Sequence, residues 1–179
     1  MIQKYITNFL FIITIWFQCT SAYSAVPDPL PDPSTNPPDN TKPVRVYILA
    51  GESNMEGFGA IKPLGTPGTL NTVAKLDNKF TYLVDDRGYW NIRSDVWYTG
   101  LIDAEANNWL TVGQGSRGDG TFIGPELGFG HVMGYYHDEP VLIFKPAQTG
   151  ANLGFDLLPP GSEGYGVKAS DGKTAGWAY

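Results

Sequence analysis

Ser53 lies within Val44–Gly59, V-R-V-Y-I-L-A-G-E-S-N-M-E-G-F-G, two residues past Gly51, where an apolar run rich in β-branched and aromatic residues stops. A hydroxyl held on a tight glycine turn just beyond a strand can serve as an exposed nucleophile on a rigid backbone. Open α/β sheets bind their ligands beyond the carboxyl ends of the strands, and this turn falls there. Plain turn chemistry also accounts for the residues, because Ser and Asn hydrogen-bond their own backbone in such turns. Met55 stands where the G-x-S-x-G elbow of α/β-hydrolases needs its last glycine, and no G-x-x-x-x-G-K-[ST] phosphate loop occurs anywhere. A nucleophilic Ser53 would therefore belong to another serine-hydrolase architecture.

The elements that must position this serine are legible in outline. Val44–Ala50 reads as a buried parallel strand, and Met55–Gly57 as a short helical piece opening from the turn. Ala60–Thr72 reads as a loop, and Phe80–Val84 and Val96–Thr99 as short strands of a peripheral insertion. The glycine-rich stretch Gly113–Gly120 fits an active-site loop or a flexible connector equally well. Pro125–Tyr136 is a predicted helix, with Pro125 at its first position and Glu126 facing the positive end of the dipole. Pro140–Lys145 is the next buried strand, which implies a parallel sheet with a right-handed crossover.

Y-I-L-A-G-E-S-N-M-E-G resembles the first block of the SGNH-hydrolase superfamily, in its sialate O-acetylesterase and acetylxylan-esterase branch, where G-Q-S-N-M is usual. Two further segments fit in order. Phe122–Met133, F-I-G-P-E-L-G-F-G-H-V-M, is similar to the G-P-E-L block, and Val141–Leu153, V-L-I-F-K-P-A-Q-T-G-A-N-L, to the strand ending in K-x-A-x-G-G-x-x-L. The resemblance covers roughly residues 44 to 155. It implies a flavodoxin-like α/β/α sandwich and hydrolysis of O-acetyl esters on carbohydrate, with no metal or cofactor. Ser53 would be the nucleophile and its own N–H one oxyanion donor, with Gly124 or Gly150 as the second. Gly124 reads equally well as the entry to the helix at Pro125. Asn54 would brace the turn. Phe58, Trp97 and Trp109 would form a sugar platform, unless they simply pack the core.

The chain departs from the family pattern at several points. Glu52 replaces the usual Gln, placing beside the nucleophile a charge that opposes alkoxide formation and favours a protonated neighbouring imidazole. Gln148-Thr149-Gly150 stands in place of Trp-Gly-Gly. The family's Q-G-E block and late D-x-x-H do not occur before Tyr179, so the chain reads as the amino-terminal part of an esterase domain. On that reading residues 44–179 alone would expose apolar surface and lack activity. Neither histidine suits the role of base. His131 shares a helical face with Leu127 and Met133-Gly134, and His137 sits at the helix C-terminus, where a cation is favoured.

Residues 1–25 read as a secretory signal peptide: Lys4, then the short apolar run Phe9–Phe17, then small residues offering cleavage after Ala22, Ser24 or Ala25. The run is too short for a membrane span. The single cysteine, Cys19, leaves with that peptide; a lipid anchor there would need small residues that Trp16-Phe17-Gln18 does not provide. Secretion or a periplasmic location follows, without a disulfide to stabilise the mature chain. Val26–Pro43, rich in Pro, Asp and Asn, reads as a semi-rigid spacer between leader and globular part. The chain has 179 residues, 42% of them hydrophobic, and a net charge of −6, which speaks against nucleic acid and anionic membranes as partners.

Overall fold

The computed structural model describes residues 26–33, 37–101, 107–116 and 120–151; the leader with Cys19, and everything from Asn152 to Tyr179, lie outside the described residues. Four strands form one sheet in the order β1-β6-β3-β4: β1 is Arg45–Ile48, β3 Arg93–Gly100, β4 Asn108–Leu110 and β6 Val141–Lys145. β6 pairs in parallel with both β1 and β3, and β4 joins antiparallel. A separate antiparallel ribbon joins β2 (Gly59–Ala60) to β5 (Phe122–Ile123). The helices are α1 (Ser53–Glu56), α2 (Leu70–Lys75) and α3 (Pro125–Tyr136). This is a mixed α/β fold with a mostly parallel sheet.

The alternation of β6 explains its central place. Val141 and Ile143 point to one face, where Val96, Tyr98 and Leu110 of the neighbouring strands complete a buried cluster with Tyr47 and Leu49 of the β1 segment. Phe129 and Met133 of α3 close that face. α3 can lie this close because Gly134 faces Arg93; a Cβ there would meet the guanidinium at 2.5 Å. Arg93 forms a buried pair with Asp95 and donates to the His131 carbonyl at 3.1 Å, tying helix to strand. A second cluster of Ile61, Leu70, Leu83 and Leu127 packs α2 beneath the start of α3.

The opposite face of the sheet is bare among the described residues. Cross-strand register aligns Val46, Leu142, Trp97 and Trp109 in one row, and Ile48, Phe144 and Thr99 in the next. Ile48 is 65% exposed, and Val46, Trp97 and Trp109 are exposed with it. The apolar run of β1 therefore marks a strand with two apolar faces, of which one is covered. Among the described residues it sits at the sheet edge and is largely exposed, not the buried strand that its composition suggests.

Three further expectations need correction. Arg93–Gly100 is no peripheral insertion but the longest strand, paired on both sides, with Val96 and Tyr98 fully buried. Residues 80–84 form a single 3-10 turn, Thr81–Leu83, entered through Phe80 in the left-handed region, and only Val84 makes a bridge, to Trp90. Their β-branched and aromatic content serves packing under Ile61 and Leu127. The stretch 60–72 is not all loop, since Ala60 pairs with Phe122 and α2 begins at Leu70. The spacer is also less free than its composition implies. Leu30 is buried, and Asp39 donates its N–H to the Asp138 carbonyl at 2.7 Å, docking this segment at the end of α3. No helix among the described residues is long and apolar enough to cross a membrane.

His131 is structural, as its helical position suggests. It is 1% exposed, lies 5.0 Å from the Tyr82 ring, and neither ring nitrogen has a hydrogen-bond partner among the described residues. Burial first, and the Arg93 charge second, lower its pKa from 6.5 to about 3. The fold therefore holds a neutral imidazole, and its stability is complete above pH 6.5 and drains away as the pH falls toward 3. The loss reaches on the order of 5 kcal/mol, because each tenfold weakening of proton affinity is worth about 1.4 kcal/mol. His131→Leu should stabilise the protein by about 1 kcal/mol at neutral pH, because two unsatisfied buried polar atoms disappear. Denaturant titrations of parent and variant should diverge further between pH 6.5 and 4; parallel pH profiles would contradict this.

Candidate active site

The Ser53 turn stands at the carboxyl end of β1, where Gly51 bridges to Ala147 just past β6. Glu52 caps α1, and its two carboxylate oxygens embrace the serine. Oε1 accepts the Ser53 hydroxyl at 2.7 Å and Oε2 accepts the Ser53 N–H. These bonds, with a further one from the Gly150 backbone, hold the Glu52 carboxyl below its usual range although it is solvent-exposed. Two candidate oxyanion donors, the Ser53 and Gly150 amides, thus lie beside the Glu52 carboxylate, which takes the Ser53 N–H directly. The third candidate, Gly124, is engaged elsewhere: its N–H donates to Glu126 Oε1 at 2.8 Å, the helix-entry role. Asn54 lies exposed on α1.

Beneath the turn lies a buried polar cluster that the sequence pattern alone does not reveal. Glu56 closes α1 with a buried carboxylate, which accepts Ser116 Oγ at 2.6 Å on one oxygen and both the N–H and Oγ1 of Thr149 on the other. Burial pushes Glu56 up, but the bonds from Ser116 and Thr149 and the nearby Lys145 charge outweigh it, leaving the group below its ordinary value. Lys145, 2% exposed at the end of β6, donates to the Glu56 carbonyl at 2.9 Å, to the Gln114 carbonyl at 3.4 Å and to Glu126 Oε2 at 2.9 Å. Burial leaves Glu126 above its ordinary value, although the Lys145 charge pulls it back. The available signal was a lone charge inside each otherwise apolar block: Glu56 in N-M-E-G, Glu126 in G-P-E-L and Lys145 in I-F-K-P. The described start of the glycine-rich stretch is anchored here, with Gln114 and Ser116 buried and the Ser116 N–H donated to the Gly57 carbonyl.

One backbone crossing brings two of the blocks together. Gly57 adopts φ +91°, and a Cβ on it would meet the Gly124 Cα at 2.2 Å. Only glycine satisfies both constraints. Gly57→Ala should cost about 2–4 kcal/mol through strain and overpacking. An unfolding free energy lowered by less than about 1 kcal/mol, measured by denaturant titration, would show that the two segments separate easily.

Other candidates stand apart. Trp97 and Trp109 pair edge to face at 4.9 Å on the bare sheet face, in register with Val46, seven residues before Ser53. They do not join the Ser53 turn. Phe58, against Phe122 at 5.6 Å, lies on the chain just past α1 and is the one proposed platform residue near the serine. His137 bonds Tyr47 Oη at 2.6 Å and faces Glu139 at 3.2 Å. It ends α3, roughly 18 Å of helix from the Gly124 end that approaches the site. No group of three or more His, Cys, Asp or Glu among the described residues is placed to hold a metal. Comparison with known proteins finds no matching family model, no matching curated protein and no matching solved structure.

Proposed function

We propose that this is a secreted serine esterase of the SGNH type, on a flavodoxin-like α/β/α plan, that removes O-acetyl groups from carbohydrate. One observation carries the proposal: the three sequence blocks that bear the resemblance meet in the polar cluster beneath the Ser53 turn. Residues 51–57, 124–126 and 145–150 are separate stretches of the chain, yet Glu56, Glu126, Lys145 and Thr149 join them through direct hydrogen bonds that span 19 to 93 positions. The mostly parallel sheet, with the serine past a strand's carboxyl end, supports the same reading.

In this chemistry Ser53 Oγ attacks the acetyl carbonyl, whose oxygen becomes an oxyanion facing the Ser53 and Gly150 amides. Each donor is worth about 3 kcal/mol in the transition state. The proton that Ser53 loses passes to the sugar oxygen as the ester C–O bond breaks, and water then hydrolyses the acyl-serine, releasing acetic acid and restoring the Ser53 hydroxyl. Glu52 must rotate off both donors before a carbonyl oxygen can enter. It also receives the Ser53 hydroxyl, but its depressed pKa makes it a weak proton acceptor. Neither histidine of the chain serves as the base, since His131 is buried against Tyr82 and His137 is held by Tyr47 and Glu139. These last facts favour a second reading, a non-catalytic carbohydrate-binding or structural domain on the same scaffold.

Ser53→Ala separates the two. In the full-length protein it should lower acetyl-ester turnover by a thousandfold or more while the melting temperature holds; activity within tenfold of the parent would end the nucleophile assignment. Glu52→Gln should preserve or raise turnover near neutral pH, because a neutral amide competes less for the two N–H groups, and the acidic limb of the rate profile should move. A hundredfold drop would instead make the Glu52 carboxylate the working base.

A further inference from the structure

We infer that Glu56 is the positioning residue of this site, its buried carboxylate locking Thr149, and through it the Gly150 amide, against the serine turn. The inference rests on the assignment of Ser53 as nucleophile and adds a role for a side chain that touches no reacting atom. Glu56 and Ser53 belong to one four-residue helix, so whatever Glu56 grips is set relative to the nucleophile by a single rigid turn. It grips the Gln148–Gly150 loop by two bonds to the same residue, one from the Thr149 backbone and one from its hydroxyl at 2.6 Å. Two contacts to one residue restrict rotation of that residue as well as its distance, so the peptide leading to Gly150 is oriented.

The grip matters because, among the described residues, the loop has few other tethers. Gly150 sits at φ +81°, with nothing within 4 Å of the place a Cβ would take. The remaining tethers are a Gln148 N–H bond to the Gly51 carbonyl at 3.3 Å, a turn closed by the Ala151 N–H on the Gln148 carbonyl, and the exposed Glu52 contact. Of these, the Glu52 contact is the one a substrate carbonyl must displace. When Glu52 leaves, Glu56 keeps the Gly150 amide aimed at the vacated position. The other carboxylate oxygen, held by Ser116 Oγ, and the Lys145 bond to the Glu56 carbonyl fix the lever at its base. A displacement of about 1 Å at an oxyanion donor is enough to cost a hundredfold in rate, which gives a remote carboxylate its catalytic weight.

The test is residue-resolved amide exchange on the full chain, comparing parent with Glu56→Gln and Thr149→Val. In the parent the Thr149 amide should be protected. Glu56→Gln should speed exchange at Thr149 and Gly150 at least tenfold, while amides of Val141–Phe144 change less than twofold. Thr149→Val, which removes only the hydroxyl, should give the same local pattern at about threefold, and it decides the matter if Glu56→Gln does not fold. Turnover of an acetyl ester by Glu56→Gln should fall about a hundredfold in kcat with KM within threefold. Unchanged exchange at Thr149 and Gly150, or equal loosening across β6, would overturn the role and leave a merely structural carboxylate. Ser53→Ala should abolish turnover without altering exchange at Gly150, so failure of the nucleophile assignment and failure of the positioning role give different results.

Discussion

Lys145 places an ammonium where four segments of the chain converge: the end of α1, the turn at Gln114, the first turn of α3 and its own strand β6. Its ring neighbour is Tyr98, 5.3 Å away across the sheet. Burying a charge at 2% exposure costs several kcal/mol, and a pair with an equally buried Glu126 returns that only when the remaining donors are also satisfied. Satisfaction here requires both carbonyls, Glu56 and Gln114, to be present together with the carboxylate. If one segment shifts, the ammonium loses one of these acceptors in a dry interior. The pair therefore contributes less to stability than to uniqueness. It admits one arrangement of the segments around Ser53 and penalises the rest.

From that anchor outward the site is built on stiff elements. β6 supplies Lys145, α3 supplies Glu126 as both helix cap and counter-ion, and α1 carries Ser53 and Glu56 on one turn. The crossing of Gly57 over Gly124 removes the side-chain volume that would hold these pieces apart. Against this rigidity, the surface above the serine is soft. Glu52 is exposed, and its carboxylate takes both the N–H and the hydroxyl of Ser53. Access to Ser53 therefore rests on one exposed side chain.

The sheet shows the same division between a specified side and an open one. The face under α3 is filled by Tyr98, Ile143, Val96 and Leu110 and pinned by the Arg93–Asp95 pair. The other face presents Val46, Ile48, Trp97 and Trp109 without cover among the described residues. The apolar composition of β1 thus serves two faces, of which one is covered among the described residues.

The sequence by itself determined the features whose causes are local. The serine turn follows from glycines flanking a strand end, α3 from Pro125 and Glu126 at its start, and β6 from a β-branched apolar run. The structural role of His131 was legible too, from its helical face. Tertiary structure decided everything that depends on distant pairing. That Arg93–Gly100 is an interior strand follows only from its register with β6, because an eight-residue run containing Arg93 and Asp95 looks like a surface strand until the two charges pair with each other. Residues 80–84 carry strand-like side chains, yet bend into a 3-10 turn to fill the space under Leu127. The cluster of Glu56, Ser116, Glu126, Lys145 and Thr149 was invisible for the same reason. A charged residue in an apolar run has a meaning only when its partner is known, and these partners lie 19 to 93 positions away.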